Sequence, residues 1–196
     1  MTDKKDLLTE LQQAIIEGDG ERAKQAAQKC LDGGVTPSEA VEVGLRDGLR
    51  VVGEMFEKLE LYLPDMILAA EAGTEAMKVL EPAIVASNME TTSAGTVIVG
   101  ASKGDIHTIG KNLLAMLLSL AGFKVHDVGE DISATTFLEE ARKHKADIIA
   151  ISSLMTSTMP GQREVIKLLK DVNERDQFKV IVGGAPVTQQ WADQIG

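Results

Sequence analysis

Four short apolar runs alternate with longer helical patterns in the second half of the chain. The runs lie at 96–101, 124–128, 147–152 and 178–183, and the helical patterns at about 110–121, 133–144, 160–172 and 187–195. Strands and helices that alternate at this spacing form parallel sheets through right-handed crossovers. The runs are nearly continuous in apolar residues, which is typical of strands covered on both faces. We therefore predict a doubly wound, flavodoxin-like parallel sheet, which is expected to be cut short because no fifth strand follows.

The first half of the chain carries only amphipathic helical patterns. Helices are predicted over 5–17, up to about 31, from 36 onward and over 66–85. Thr36, with Pro37 and Glu39 after it, is a strong start signal for the third helix. Pro82 is expected to end or kink the fourth helix near its last turn. Four helices with short connections predict a small antiparallel bundle. The fold class is thus α plus α/β, with a four-helix domain over 1–88, a linker within 87–95 and the sheet domain over 89–196.

Charge and composition exclude several classes of function. The net charge is −10, and residues 1–90 hold 9 basic and 18 acidic side chains against 11 and 12 in the rest. A chain without a basic stripe has no means of neutralising phosphates, so we expect no nucleic-acid partner. Cys30 is the single cysteine, which excludes a disulfide framework or a thiolate metal cage within one chain. The N-terminus lacks a signal-peptide core and no apolar run is long enough to cross a bilayer, so we expect a cytoplasmic protein without membrane contact.

Candidate metal-binding residues follow the first predicted strand. The turn from Gly104 to Gly110 contains the pattern Asp105-x-His107-x-x-Gly110. A lone histidine is more often structural or merely exposed than functional. Here, however, a carboxylate lies two residues before the ring, and a histidine that binds a metal through one nitrogen usually donates its other N–H to such a group. Gly110 allows the backbone to pass close to a bulky ligand.

Two further turns follow later strands. A hydroxyl-rich run that includes Ser152, Thr156 and Thr158 follows the third strand, and Gly183-Gly184 follows the fourth. Taken alone, the first run reads as an N-capping turn, with Thr158 or a neighbour as the cap, and the second as an ordinary strand-to-helix turn. Ligands of open α/β sheets bind at the carboxyl ends of the strands, where all three turns lie. Together the turns therefore indicate a ligand site.

These turns carry a resemblance to a known family. The combination of Asp105-x-His107-x-x-Gly110, Ser152-x-Leu154 and Gly183-Gly184 resembles the cobalamin-binding signature of methionine synthase and the B12-dependent mutases. The helical half, in which Tyr62-Leu63-Pro64-Asp65-Met66 leads the last helix, resembles the cap domain of methyl-carrying corrinoid proteins. Those proteins are small subunits of methanol, methylamine, betaine and aryl-ether (O-demethylase) methyltransferase systems. The resemblance covers nearly the whole chain.

The resemblance implies a role for each matching residue. His107 would be the lower axial ligand of cobalt, Asp105 would hold its imidazole, and Thr158 would complete a proton-relaying triad in which methionine synthase has a serine. Further residues implied in binding cobalamin are Gly104, Ile106, Thr108 and Gly110 in the first turn, Ser152, Leu154 and Thr156 along a slot for the nucleotide tail, Gly183 and Gly184 where that tail threads in, and Met66 over the upper face. The cofactor would alternate between methylcobalamin and cob(I)alamin.

The resemblance also implies partners. The chain would carry a methyl group from a substrate-specific methyltransferase to a second one that acts on a thiol or tetrahydrofolate, with a reductive activating protein as a third partner. It would be a carrier component rather than a complete enzyme. One alternative is a B12-dependent sensor or regulator, although no DNA-binding module is visible. A mutase subunit is another, and a flavodoxin-like or receiver domain is disfavoured because the third strand ends in Ser152-Ser153 rather than in a phosphoacceptor aspartate.

Overall fold

The computed structural model describes residues 3–87 and 93–196. The chain divides into two compact units, Met1–Thr92 and Ser93–Gly196. The boundary predicted between residues 88 and 89, and most of the predicted linker, lie outside the described residues. In the part of the chain that is described, no helix combines the length and apolar content that a membrane span requires.

The described residues of the first unit form helices joined by short turns, with no strand among them. Its elements are α1 (Lys4–Ile16), α2 (Gly20–Asp32), α3 (Pro37–Glu39), a π-helical segment (Ala40–Arg46), α4 (Asp47–Glu57) and α5 (Leu63–Ala86). The three elements from Pro37 to Glu57 follow each other without a break, so the predicted third helix is one continuous helical stretch. The core of the first unit consists of fully buried aliphatic side chains such as Leu11, Ile15 and Leu80.

The ends of these helices follow from local sequence. The Thr36 hydroxyl accepts a hydrogen bond from the Glu39 amide at 3.2 Å, as the start signal predicted. Helix α5 begins three residues earlier than predicted, because Asp65 accepts a hydrogen bond from the Tyr62 amide at 2.8 Å and so stabilises the first turn. The helix continues past Pro82 and ends at Ala86, one turn after the proline.

The second unit is a parallel sheet with helices packed against it. Its elements are β1 (Thr96–Ser102), α6 (Ile109–Leu120), β2 (Lys124–Ile132), α7 (Ala134–His144), β3 (Ile148–Ser152), α8 (Met159–Asp171), a 3₁₀ turn (Arg175–Gln177), β4 (Lys179–Gly183) and α9 (Gln189–Ile195). The strand order is β2-β1-β3-β4 and all three pairings are parallel. The predicted doubly wound sheet is therefore confirmed, and β2 extends four residues beyond its predicted end.

Both faces of the central strands are buried. Ile98 and Ile149 pack on one face with Phe137 and Leu169 from the flanking helices. Successive β1 residues point to opposite faces, so Val97 and Val99 form the core of the other face, together with partly buried side chains of α6.

The strand order also creates a crevice. After β1 the chain crosses to β2 on one side, and after β2 it returns to β3 on the other side of β1. The turns that follow β1 and β3 therefore diverge, and this switch point is where open α/β sheets bind ligands.

Candidate functional site

A buried carboxylate lies at the centre of this switch point. Asp105 lies three residues after the end of β1 and is completely excluded from solvent. Its Oδ1 accepts hydrogen bonds from the His107 amide at 3.0 Å and from His107 Nδ1 at 2.8 Å. Its Oδ2 accepts from the Leu154 amide at 2.7 Å and from the Thr158 hydroxyl at 2.6 Å. Four donors from the turns after β1 and β3 thus converge on one side chain.

The surroundings of Asp105 keep it ionised. Burial alone raises the pKa of a carboxyl group, because the charged form loses its hydration. Here the hydrogen bonds from Thr158, from the amide and ring of His107 and from the Leu154 amide outweigh burial, and they hold the pKa of Asp105 well below its usual range. A carboxylate has no proton to donate, so His107 Nδ1 must be the donor in their contact.

The imidazole of His107 is held at one end and open at the other. Its side chain is 43 % exposed although its Nδ1 is bound to a completely buried group. With the proton on Nδ1, the Nε2 atom carries the lone pair. Within the described residues, no hydrogen bond or ion pair occupies Nε2. The ring is therefore a preoriented nitrogen ligand.

The first turn is also held from the opposite side, by a residue that sequence reasoning missed. Asp131, near the end of β2, accepts a hydrogen bond from the Gly104 amide at 2.8 Å and forms an ion pair with Lys103 at 2.9 Å. Its own amide donates to the Asp105 carbonyl at 3.0 Å. Gly104 has a φ of +80°, in the region that favours glycine, so the turn needs this residue type here.

Thr158 occupies the N-cap position of α8 but does not act as a cap. Its hydroxyl makes no capping bond to the helix and donates instead to Asp105. Its carbonyl accepts hydrogen bonds from Ser102 at 3.0 Å and from Ser153 at 3.3 Å, and those two hydroxyls lie 2.7 Å apart. The capping interpretation was wrong for Thr158, because its backbone has a φ of −99° and a ψ of −12° instead of the extended conformation that lets an N-cap hydroxyl accept from the helix amides.

The turn after β4 presses against the turn after β3. The Ser153 amide donates to the Gly183 carbonyl at 2.9 Å. A Cβ placed on Gly184 would lie 1.8 Å from the Ser153 carbonyl oxygen, and the φ of Gly184 is +127°. A Cβ placed on Gly183 would meet no atom within 4 Å. Gly184 thus permits its backbone to lie close to that of Ser153, whereas Gly183 borders open space.

The remaining predicted residues fall into groups. Ile106 is 66 % exposed beside His107, Thr108 precedes α6, and Gly110 borders open space in its first turn. Ser152 ends β3 and is partly buried, whereas Thr156 is exposed in the following turn. Met66 is partly buried in α5 of the first unit.

Direct hydrogen bonds thus join Asp105, His107, Leu154 and Thr158. Leu154 contributes its backbone amide, while its side chain is exposed. Large apolar side chains that are exposed on the turns after β1 and β3 are Ile106, Ile109, Leu154 and Met155. Such a patch around a polar ligand atom is typical of a site for a large, flat, mainly apolar group.

Comparisons with known proteins agree with this geometry. A model of the B12 binding domain matches residues 95–196, and a second B12 binding domain model matches residues 7–81. The trimethylamine corrinoid protein 1 of Methanosarcina acetivorans is 45 % identical over the whole of this chain and 91 % of its own length. The chain belongs to the family of cobalamin-binding corrinoid proteins.

Other relatives of this corrinoid protein are similar over its full length. The dimethylamine corrinoid protein 1 of Methanosarcina mazei is 45 % identical, over 100 % of this chain and 90 % of its own. A cobalamin-binding protein of Desulfitobacterium hafniense matches in structure with a TM-score of 0.83 at 27 % identity, over 98 % and 90 % of the two chains. The methanol:cobalamin methyltransferase complex of Methanosarcina barkeri matches with a TM-score of 0.79 at 28 % identity, over 98 % and 72 %.

The residues of the corrinoid protein fit cobalamin. Among the described residues, no group of three or more His, Cys, Asp or Glu side chains is placed to hold a metal ion. A metal at His107 would therefore need most of its ligands from a prosthetic group, and a corrin ring supplies them. The exposed apolar patch beside His107 and the open space beside Gly183 provide room for the macrocycle and for a substituent below it.

Proposed function

We propose that this corrinoid protein carries a methyl group between a substrate-specific methyltransferase and a second methyltransferase that acts on a thiol or tetrahydrofolate. When bound, cobalamin supplies the cobalt atom that accepts the methyl group and gives it up. Relatives named trimethylamine and dimethylamine corrinoid proteins, and the match to a methanol:cobalamin methyltransferase complex, support this role. A methylamine or methanol is thus the favoured methyl donor.

The observation that carries the proposal is the coupling of His107 to Asp105. His107 Nε2 would hold the cobalt of the cofactor, because Nδ1 is bound to a buried carboxylate and Nε2 is open. The low pKa of Asp105 keeps the proton on His107 Nδ1 and raises the electron density of the ring. Thr158 stabilises the carboxylate, which makes it the third member of the triad.

The other predicted residues are assigned to the two ends of the cofactor. Ser152, Leu154 and Thr156 would line the slot for the nucleotide tail, and the open space beside Gly183 supports its passage at the end of β4. Gly184 allows the close backbone contact that shapes this end.

The rest of the first turn would contact the lower face of the corrin. It comprises Gly104, Ile106, Thr108 and Gly110, and the exposed Ile106 side chain is its apolar part. Residues 1–88 would act as the cap, with Met66 over the upper face, and residues 89–196 as the cobalamin-binding domain. A reductive activating protein would restore the cofactor in the cytoplasm.

Transfer of a radiolabelled methyl group tests the proposed carrier role. The reduced holoprotein is mixed separately with trimethylamine, dimethylamine, monomethylamine and methanol methyltransferases and their labelled substrates. We expect label to remain with the corrinoid protein in one of the four mixtures, and to leave it when a thiol methyltransferase is added. Absence of protein-bound label in all four mixtures would reject the proposal, and the sensor alternative would then gain support.

Absorption spectra test the assignment of His107. We expect His107→Ala to lose the spectrum of histidine-ligated cobalamin, whereas His144→Ala, a change at a histidine on α7, keeps it. If the spectrum of His107→Ala were identical to that of the unchanged protein, the assignment of His107 as the cobalt ligand would be rejected, and the proposed carrier role would be unaffected.

A further inference from the structure

Gln162 is a completely buried polar side chain on α8, and its hydrogen bonds reach the ends of β3 and β4 and helix α9. Its Nε2 donates to the Ile151 carbonyl at 3.2 Å and to the Gly183 carbonyl at 3.0 Å. Its Oε1 accepts from the indole N–H of Trp191, on α9, at 2.8 Å. The side chain is 0 % exposed. One amide thus joins the ends of two strands to a helix.

The carbonyl that Gln162 binds belongs to the residue beside the open space. Gly183 O is also the acceptor for the Ser153 amide, so the turns after β3 and β4 meet at this oxygen. The contact of Gly184 with Ser153 fixes how closely the turns approach each other. The donors that bind Gly183 O therefore fix the backbone that borders the open space.

We propose that Gln162 is a positioning residue for the nucleotide tail of cobalamin: it fixes the Gly183 backbone beside the open space and is itself held by Trp191. The proposal rests on the assignment of Gly183 and Gly184 to the tail. A buried amide is costly unless it is hydrogen-bonded. Here Nε2 of Gln162 bonds both strand ends, and Oε1 accepts from Trp191. Because Gly183 and Gly184 are assigned to the tail, we expect Gln162 to act on binding of the tail and not of the ring.

Trp191 provides a reporter for this arrangement. It is the single tryptophan of the chain, and Arg163 stacks on its ring with 4.7 Å between the guanidinium carbon and the ring centroid. Loss of the bond to Gln162 frees the indole N–H to bind water. The fluorescence of the apoprotein would then shift to the red without any cofactor present.

The test compares cobalamin with cobinamide, a corrinoid that has the same ring but lacks the nucleotide tail. Gln162→Leu keeps the size of the side chain and removes every polar bond. We expect it to lower the affinity for cobalamin about tenfold, as loss of a buried hydrogen-bond set does, and to change the affinity for cobinamide by less than about twofold. Gln177→Leu, the same change at an exposed position, is the control and leaves both affinities unaltered.

Two measurements on the apoprotein accompany the binding data. In Gln162→Leu, we expect faster hydrogen exchange of the Ser153 amide and a red shift of Trp191 emission. If Gln162→Leu does not fold, as judged by circular dichroism, Trp191→Phe takes its place in the binding measurements, because it removes the indole donor and keeps an aromatic ring. Trp191→Phe should also lower the affinity for cobalamin and not that for cobinamide, by a smaller factor than Gln162→Leu.

The outcomes separate this inference from the proposal beneath it. Equal losses for cobalamin and cobinamide, or no loss for either, would overturn the role of Gln162 while leaving the tail site intact. Equal affinities of the unchanged protein for cobalamin and cobinamide would instead overturn the assignment of Gly183 and Gly184 to the tail. The positioning role proposed for Gln162 would then be rejected as well.

Discussion

Asp105 and Gln162 are both fully buried at the carboxyl edge of the sheet, but their chemistry is opposite. Asp105 accepts four hydrogen bonds and donates none, and it joins the turns after β1 and β3. Gln162 donates two and accepts one, and it joins the ends of β3 and β4 to α9. One group is charged and the other is neutral.

The difference matches what each end of the site has to do. A carboxylate orients an imidazole and also raises its basicity, which suits a residue behind a metal ligand. A neutral amide adds no charge and only fixes distances between backbone groups. The first end of the site is therefore controlled by electrostatics and the second by shape. Substitutions that remove charge should affect the Asp105 end, and substitutions that add volume should affect the Gln162 end.

The largest expected effect comes from added volume. In Gly184→Ala, the new methyl group would lie 1.8 Å from the Ser153 carbonyl oxygen, on a residue with φ of +127°. We expect the free energy of unfolding of the apoprotein to fall by about 3 kcal/mol or more, measured by urea unfolding. Gly183→Ala is the matched control, because its methyl group meets open space, and it should cost less than about 1 kcal/mol. Equal costs for the two variants would contradict the backbone contact described for Gly184.

The second-largest effect is expected when the charge of Asp105 is removed. Asp105→Asn replaces one acceptor oxygen with an NH₂ group that faces donors, so at least one buried hydrogen-bond donor loses its partner. We expect the free energy of unfolding to fall by about 2–3 kcal/mol at neutral pH. Asp171→Asn, at an exposed position paired with Lys167, should change it by less than about 0.5 kcal/mol. A loss for Asp105→Asn no larger than for Asp171→Asn would show that the carboxylate does not hold the two turns.

The same variant predicts how stability depends on pH. The pKa of Asp105 is lower in the folded protein than its ordinary value of 3.8. Its contribution to stability is therefore fully present above the unfolded-state pKa and is lost as the pH falls through the acid range. The gap in unfolding free energy between the unchanged protein and Asp105→Asn should shrink below about pH 4. A gap that stays constant on acidification would mean that Asp105 is not held ionised by its neighbours.

The sequence predicted the order of elements and the first turn because both depend on strong local patterns. Apolar runs covered on two faces leave few alternatives to a parallel sheet, and a histidine two residues after an aspartate places the two groups within reach. The contact between Thr158 and Asp105 was implied only by the family resemblance. It joins turns that are 53 residues apart, and nothing local in the sequence requires it.

Three parts of the site were beyond sequence reasoning for physical reasons. Asp131 lies in an extension of β2 through a glycine and two acidic residues, which are poor strand formers. The Leu154 amide is a backbone donor, so no side-chain type signals it. Gln162 lies on an amphipathic helix, where a polar residue usually faces solvent. Only the structure shows that its side chain turns inward.

A smaller effect is expected when one donor to Asp105 is removed. Thr158→Val keeps the shape of the side chain and loses the hydroxyl that donates to Asp105 at 2.6 Å. We expect a loss of about 1–2 kcal/mol in unfolding free energy and a higher pKa for Asp105. Thr158→Ser keeps the hydroxyl and should retain most of that stability. If valine and serine were equally costly in urea unfolding, the methyl group rather than the hydroxyl would be responsible.

The smallest effect is expected where charge is removed at an exposed position. Asp131 has a φ of +57°, a conformation that asparagine tolerates well, so Asp131→Asn isolates the charge from the backbone. The new amide oxygen still accepts from the Gly104 amide, and only the ion pair with the exposed Lys103 is lost. We expect the midpoint of urea unfolding to stay close to that of the unchanged protein, with Lys103→Met equally mild. Asp131→Ala should cost more, since it removes the Gly104 bond and suits this φ poorly. Asparagine as costly as alanine would mean that charge, and not hydrogen bonding, holds this side of the turn.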